Sequence, residues 1–191
     1  MNDLLKGRLV RLSAIDPEEF GRARSGWALD SEYFRLGYSN PTRLHSVKVL
    51  KGRLEKDSEN ESAIDFSFSL RTLADDKLIG DIGLEVFNWS NRDAFVGLGI
   101  GDRHLWNKGY GTDAMSVMLR YAFTELNLRR VSLSVFEYNP RAIRSYEKAG
   151  FRHEGRLRQF LSREGRRWDM LFMGILRAEW MKLNGSDDQT N

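Results

Sequence analysis

Apolar positions along the chain follow two periods, two and about three and a half, and the switch between them marks out the elements. Residues 8–13 alternate as R-L-V-R-L-S and read as a first strand. Asp16-Pro17-Glu18-Glu19 then offers a capping side chain, a proline at the first helical position and acids in the first turn, which predicts a short helix to about Arg24. Residues 27–38 are aromatic and partly helical in pattern, and Asn40-Pro41 predicts a further helix start running to about Lys56. Three strand-like runs follow, over 63–73, 77–87 and 94–100. In the first, Ile64, Phe66, Phe68 and Leu70 share a face; turns at Ala74-Asp75-Asp76 and Ser90-Asn91-Arg92-Asp93 make the three an antiparallel meander. From Ala114 the period becomes helical, with Ala114, Met115, Met118, Leu119, Ala122, Phe123 and Leu126 forming one apolar stripe. Residues 131–135 form a strand, Asn139-Pro140 opens a helix that Gly150 ends, and 152–161 and 167–176 are two strands about Ser162-Arg163-Glu164-Gly165. A short helix over 177–183 closes the order, which predicts a mixed sheet with helices on its faces, an α/β or α+β architecture in one domain over 1–183. The polar remainder, 184–191, is expected to fray.

Composition narrows the function classes. The 191 residues suit one domain, and no run approaches the length of a membrane span or of a signal-peptide core, so the cytoplasm is the default location. There are no cysteines, which removes disulfides, thiolate metal sites and a cysteine nucleophile together. Three scattered histidines offer no metal site, and His104 reads as an exposed loop residue. A net charge of +3 is too small to imply nucleic acid. Arg156, Arg158, Arg163, Arg166 and Arg167 crowd one stretch, as a solvated hairpin face or a groove for an anionic partner.

The candidate chemistry lies between the last strand of the meander and the striped helix. Gly109 and Gly111 open that helix, and a helix N-terminus approached through glycines is an anion site. The G-x-x-x-x-G-K-[ST] phosphate loop is absent. Gly109-Tyr110-Gly111-Thr112-Asp113-Ala114 matches the dinucleotide pattern G-x-G-x-x-[GA], but eight residues separate it from the strand at Ile100, too many for the βαβ turn which that pattern serves. Downstream, Asn139 and Tyr146 lie two turns apart and share one helix face; alone they read as a cap and a core aromatic.

Trp106-Asn107-Lys108-Gly109-Tyr110-Gly111-Thr112-Asp113-Ala114 together with Asn139-Pro140-Arg141-Ala142-Ile143-Arg144-Ser145-Tyr146-Glu147-Lys148-Ala149-Gly150-Phe151 resembles the GNAT superfamily of N-acetyltransferases, and within it the ribosomal-protein (RimJ/RimL-like) group. Trp27-Ala28-Leu29-Asp30 and Leu176-Arg177-Ala178-Glu179-Trp180 resemble the ends of that group, so the likeness spans nearly the whole chain. It implies a mixed, mostly antiparallel seven-stranded sheet with helices on both faces. It implies acetyl-CoA as donor, its arm beside Leu98, Gly99 and Ile100, and its pyrophosphate on the N–H groups of Lys108, Gly109, Tyr110, Gly111 and Thr112. Asp113, which would repel phosphate, is expected to point away. Asn139 and Ala142 would meet the arm, and Tyr146 would protonate the leaving thiolate as general acid.

With no cysteine and no G-x-S-x-G elbow, direct attack of the acceptor amine on the thioester, in a ternary complex, is the natural mechanism, which calls for a base and for a backbone N–H of Leu98 or Ile100 on the thioester carbonyl. Asp81 and Glu85 share a strand face; Glu85, nearer the strand centre, is the better candidate base, although either can be a solvated carboxylate. Trp27, Tyr33, Phe34 and Tyr38 fall where the family builds one wall of its acceptor groove, or serve as core. The acceptor stays open among protein N-termini, polyamines, aminoglycosides and other small amines. So do a homodimer and a non-catalytic acetyl-CoA sensor or assembly module of the same fold. Neither a nucleic-acid nor a membrane partner is expected.

Overall fold

The computed structural model describes residues 3–59 and 62–185. Its strands are β1 (Val10–Ser13), β2 (Asp65–Thr72), β3 (Leu78–Asn88), β4 (Asp93–Ile100), β5 (Arg130–Phe136), β6 (Arg152–Arg163) and β7 (Arg166–Leu176). Its helices are α1 (Pro17–Trp27), α2 (Ser31–Gly37), α3 (Val47–Glu59), α4 (Tyr110–Arg120), α5 (Pro140–Lys148) and α6 (Arg177–Asn184). The strands form one sheet in the order β1-β2-β3-β4-β5-β7-β6. Every pair is antiparallel except β4 with β5, which are parallel and joined by the crossover through α4.

Local chemistry explains most of the boundaries. Asp16 caps α1 by accepting from the N–H of Glu19 at 2.7 Å, and Asp30 caps α2 through Glu32. Gly150 leaves α5 at φ +98°, the left-handed turn expected of it. The helix expected from Asn40-Pro41 instead begins at Val47, after Ser46, whose hydroxyl accepts from the N–H of Val49. Ser39–Ser46 has no apolar stripe to bury, so a proline at a nominal first turn does not start a helix there. The striped helix is α4 only to Arg120, and its last turn, Tyr121–Glu125, widens to π geometry. Residues 184 and 185 of the expected polar tail finish and leave α6, and 186–191 lie outside the described residues.

The core lies between the sheet and α4. Ile82, Leu84, Val86, Ala94 and Val96 are buried in one cluster with Met115, Met118, Leu119 and Phe123. Each large side chain so buried is worth about 1.5–3 kcal/mol, so this layer fixes how α4 sits on β3 and β4. Asp113 adds a second anchor. Its carboxylate accepts from the N–H groups of Arg8, Leu9 and Val10 at 2.8–3.0 Å, tying the approach to β1 to the first turn of α4. It points away from the glycine loop, as expected. On the opposite sheet face lie α1 and α2, with Trp27 against Gly101 and Tyr33 against Gly99. The hairpin of β6 and β7 reaches α2 through Arg163, which donates to the Arg35 and Tyr38 carbonyls and to the Tyr138 hydroxyl.

Candidate active site

The parallel pair β4–β5 stops early. Asp93, Ala94 and Phe95 face Arg130, Val131 and Ser132, after which both strands continue without pairing to each other. They diverge into a cleft that opens on a cavity of about 880 Å3. The orientation of the freed edge of β4 follows from one bond. Gly101 donates its N–H to Ile79 of the strand on the other side. Alternation along the strand then aims the N–H and C=O groups of Val96, Leu98 and Ile100 into the cleft. Trp106 Nε1 donates to the Ile100 carbonyl at 2.8 Å, which leaves the Leu98 groups and the Ile100 N–H open to a ligand.

The cleft leads to the N-terminus of α4. Gly109, at φ +90°, is the N-cap, and no side chain caps the helix. A residue with a side chain would be strained there, and the Cβ it would add would lie 3.3 Å from Leu9 Cδ1. The N–H groups of Tyr110, Gly111 and Thr112 are thus free for an anion at the positive end of the helix. The Thr112 and Ser145 hydroxyls touch at 2.9 Å, holding the first turn of α4 against the middle of α5. Along that face of α5, Arg141, Arg144 and Lys148 line the cavity, and none forms an ion pair among the described residues. Arg141 lies 3.7 Å over the Trp106 ring. Burial draws its guanidinium below the usual range, partly offset by Glu32, although an arginine keeps its charge throughout the working pH range. This end of the cavity is therefore positive.

The other end is negative. Asp65, Asp81 and Glu85 all line it. Asp81 Oδ1 is fully buried and accepts no hydrogen bond, and burial pushes the carboxyl above the usual range against the opposing pull of Arg24. Glu85 is exposed on the same strand face. Burial likewise raises the Tyr33 phenol, with Asp81 adding to it. Tyr146 also lines the cavity; its ring is buried against Phe151, and its hydroxyl has no hydrogen-bond partner among the described residues. Burial pushes it up to about 12, with Arg141 opposing, so it holds its proton at neutral pH.

Most of the residues singled out in the sequence converge here. Glu85, Leu98, Gly99, Ile100, Gly109, Tyr110, Gly111, Thr112, Asn139, Ala142 and Tyr146 all line the one cavity. Lys108 is exposed and does not line it. Asn139 does cap α5, accepting from the Ala142 N–H at 3.2 Å, and its amide donates to the Leu36 carbonyl at 3.3 Å, so it joins α5 to α2 from within the lining. Tyr33 and Tyr38 line the cavity as groove wall, whereas Trp27 packs under Gly101. Sequence reasoning passed over Arg141, Arg144 and Lys148, whose spacing of three and four on a capped helix marks one face. It also passed over Asp65, which only the strand register brings to the site.

The chain matches the acetyltransferase (GNAT) domain family over residues 9–152. It belongs to the GNAT family of N-acetyltransferases. It is 31% identical over 113 residues to the uncharacterized N-acetyltransferase p20 of Bacillus licheniformis, covering 59% of this chain and 63% of that protein. It is 33% identical over 108 residues to the putative ribosomal N-acetyltransferase YdaF of Bacillus subtilis (strain 168), covering 56% and 58%. Each of these matches thus spans less than two thirds of the relative's own length. Among solved structures, spermidine N-acetyltransferase from Vibrio cholerae in complex with CoA and spermine superposes with a TM-score of 0.78 at 25% identity, covering 90% of this chain and 98% of that one. The seven-stranded GNAT fold expected from the two motifs is therefore the fold observed. Among the described residues no helix is long and apolar enough to cross a membrane, and no group of three or more histidines and carboxylates is placed to hold a metal ion.

Proposed function

We propose that this acetyltransferase moves the acetyl group of acetyl-CoA directly onto a primary amine. The observation that carries the reading is the early end of the β4–β5 pairing beside an uncapped α4. It leaves a freed strand edge for an amide-bearing arm and three helix N–H groups for a pyrophosphate, on one path. The positive lining at Arg141, Arg144 and Lys148 suits a polyanionic donor. That the related Vibrio cholerae structure holds CoA supports the donor, and its polyamine supports a small amine as acceptor. We also propose the cytoplasmic setting and the RimJ/RimL-like placement expected from the sequence, the latter supported by the likeness to the putative ribosomal N-acetyltransferase YdaF.

Each residue then has a task. The N–H groups of Tyr110, Gly111 and Thr112 hold the pyrophosphate. The N–H of Leu98 or Ile100 polarises the thioester carbonyl, where charge develops as the amine adds. Tyr146 gives its proton to the departing sulfur. Asp81 and Glu85 are the carboxylates that can take a proton from the acceptor. Free-thiol release from acetyl-CoA, followed against a panel of amines, tests the reading. Amine-dependent release supports it. Binding of acetyl-CoA with no amine acetylated would make the chain a sensor, and no binding at all would overturn both.

A further inference from the structure

We propose that the two carboxylates on the β3 face divide the work on an extended, multiply cationic acceptor: Asp81 takes the proton of the reacting nitrogen, and Glu85 with Asp65 holds a second, remote ammonium. This rests on the acetyl-transfer reading above.

The floor of the negative half is built from strand residues whose side chains leave one face of the sheet together. Register pairs Asp81 with Gly99, Gly83 with Gly97, and Glu85 with both Phe95 and Asp65. Between the two carboxylates the floor therefore carries little beyond the small side chain of Ser67, which register sets opposite Gly83 and which lines the cavity. A Cβ on Gly97 would meet nothing within 4 Å, so a trough runs along the sheet surface. Asp81 and Glu85 are four residues apart on one strand, about 13 Å between their Cα atoms, so a carboxylate stands at each end.

At the near end, a Cβ on Gly99 would lie 3.0 Å from the Tyr33 hydroxyl and 3.3 Å from Asp81 Oδ1. The missing side chain lets both reach the same point, one residue from the Leu98 edge that faces the cleft. Asp81 Oδ1 is buried there with no donor. Arg24, the cation that faces it, donates to the Tyr38 hydroxyl instead, at 3.0 Å. A buried carboxylate oxygen left without a donor costs stability, and nothing in the fold uses it. The Asp81 carboxylate lines the trough, so an ammonium there supplies the cationic partner that Arg24 does not.

At the far end, Asp65 and Glu85 are direct cross-strand partners. Like charges in that position repel, and neither carboxylate forms an ion pair among the described residues. A ligand cation between them relieves the repulsion.

One proton of the reacting ammonium passes to the Asp81 carboxylate, which lines the cavity. The freed lone pair forms the N–C bond to the thioester carbonyl carbon. The C–S bond breaks with its electrons on sulfur, which takes the Tyr146 proton. The nitrogen's second proton leaves as the amide forms and restores Tyr146 through solvent, its third remains on the amide, and Asp81 returns its proton to water.

The test compares butylamine, putrescine and spermidine at saturating acetyl-CoA, on the wild type and on Asp81→Asn, Glu85→Gln and Asp65→Asn, with acetyl-CoA affinity and melting temperature measured for each. Spermidine should exceed butylamine in kcat/KM by about tenfold or more. Glu85→Gln and Asp65→Asn should each raise the spermidine KM about tenfold, with kcat held within about threefold. Asp81→Asn should lower kcat by roughly a hundredfold and abolish the acidic limb of the pH–rate profile. Butylamine turned over as well as spermidine, or only peptide N-termini acetylated, would overturn the proposal while leaving acetyl transfer intact. So would Asp81→Asn with near-normal kcat. Loss of acetyl-CoA binding by the wild type is a different failure, of the donor reading itself.

Discussion

Replacing Tyr146 by Phe removes one oxygen from the site and nothing else. The ring is buried, its centroid 6.1 Å from that of Phe151, and Phe keeps those contacts. The hydroxyl has no partner among the described residues, so no donor or acceptor is orphaned by its loss. A fold penalty of at most about 0.5–1 kcal/mol follows, since the net worth of even a made hydrogen bond is of that order. The kinetic effect should be much larger. A positioned general acid contributes roughly 10²–10⁴ in rate. At about 1.4 kcal/mol per decade, the barrier should rise by ~3–5 kcal/mol. With the hydroxyl pushed up to about 12, wild-type kcat should show no loss of this proton between pH 6 and 9 by the usual titration range, about one unit either side of the pKa. The assay is thiol release under saturating acetyl-CoA and amine, with acetyl-CoA affinity by calorimetry and melting temperature measured on the same preparation. Turnover within about threefold of wild type would refute the assignment. So would a fall in kcat matched by an equal fall in acetyl-CoA affinity, which would make Tyr146 a binding residue.

Three further outcomes follow from the same geometry. At Gly111 a Cβ would sit in ordinary contact with Leu98 and Ser145, 3.5 Å from each, so the added methyls of Gly111→Val project into the phosphate path; acetyl-CoA affinity should fall at least tenfold, or about 1.4 kcal/mol, while the fold stays intact, as calorimetry and circular dichroism will show. Asp113→Ala deletes three charge-assisted bonds, two of them exposed and replaceable by water, so denaturant titration should show a loss of about 2 kcal/mol. For Asp81 the sign runs against the usual carboxylate. Its folded value lies above its unfolded one, so the native state holds a proton that the unfolded chain has released; unfolding free energy then falls as pH rises from about 4 through the folded value, and stays lower above it. Asp81→Asn should therefore melt above the wild type at pH 7, with the difference shrinking as the pH drops toward 4, and a variant that melts lower at pH 7 would remove the buried-charge argument.

The half of the candidate site around the α4 N-terminus was legible in the sequence because its geometry is local. Gly109, Gly111 and the stripe from Ala114 to Leu126 define a helix start, and the Asn139–Tyr146 spacing defines a second helix face; neither requires knowing which strands pair. The exposed Lys108 shows the limit of that logic, since adjacency to a phosphate loop does not aim a side chain into it. The carboxylate-lined half was less legible because it depends on register. Asp81 and Glu85 could be placed on one strand face, but the burial of Asp81 comes from α1 and α2 above it, and the like-charge pair with Asp65 comes from β2 alongside. A central position on the strand distinguishes Glu85 in the sequence, but it carries no information about what covers Asp81. The helix expected at Asn40-Pro41 failed for a related reason: capping chemistry was present, and the apolar face that a helix needs began only after Ser46.

On the proposed reading, the parting of β4 from β5 makes an acetyl-CoA site whose thioester is attacked by an amine. The most direct measurement is free-thiol release from acetyl-CoA by the wild-type protein, with and without spermidine, alongside mass spectrometry of the amine. Thiol release should depend on the amine, with one acetyl group on the amine for each thiol released. Thiol release that is unchanged by any amine, or an acetyl group left on the protein itself, would contradict it.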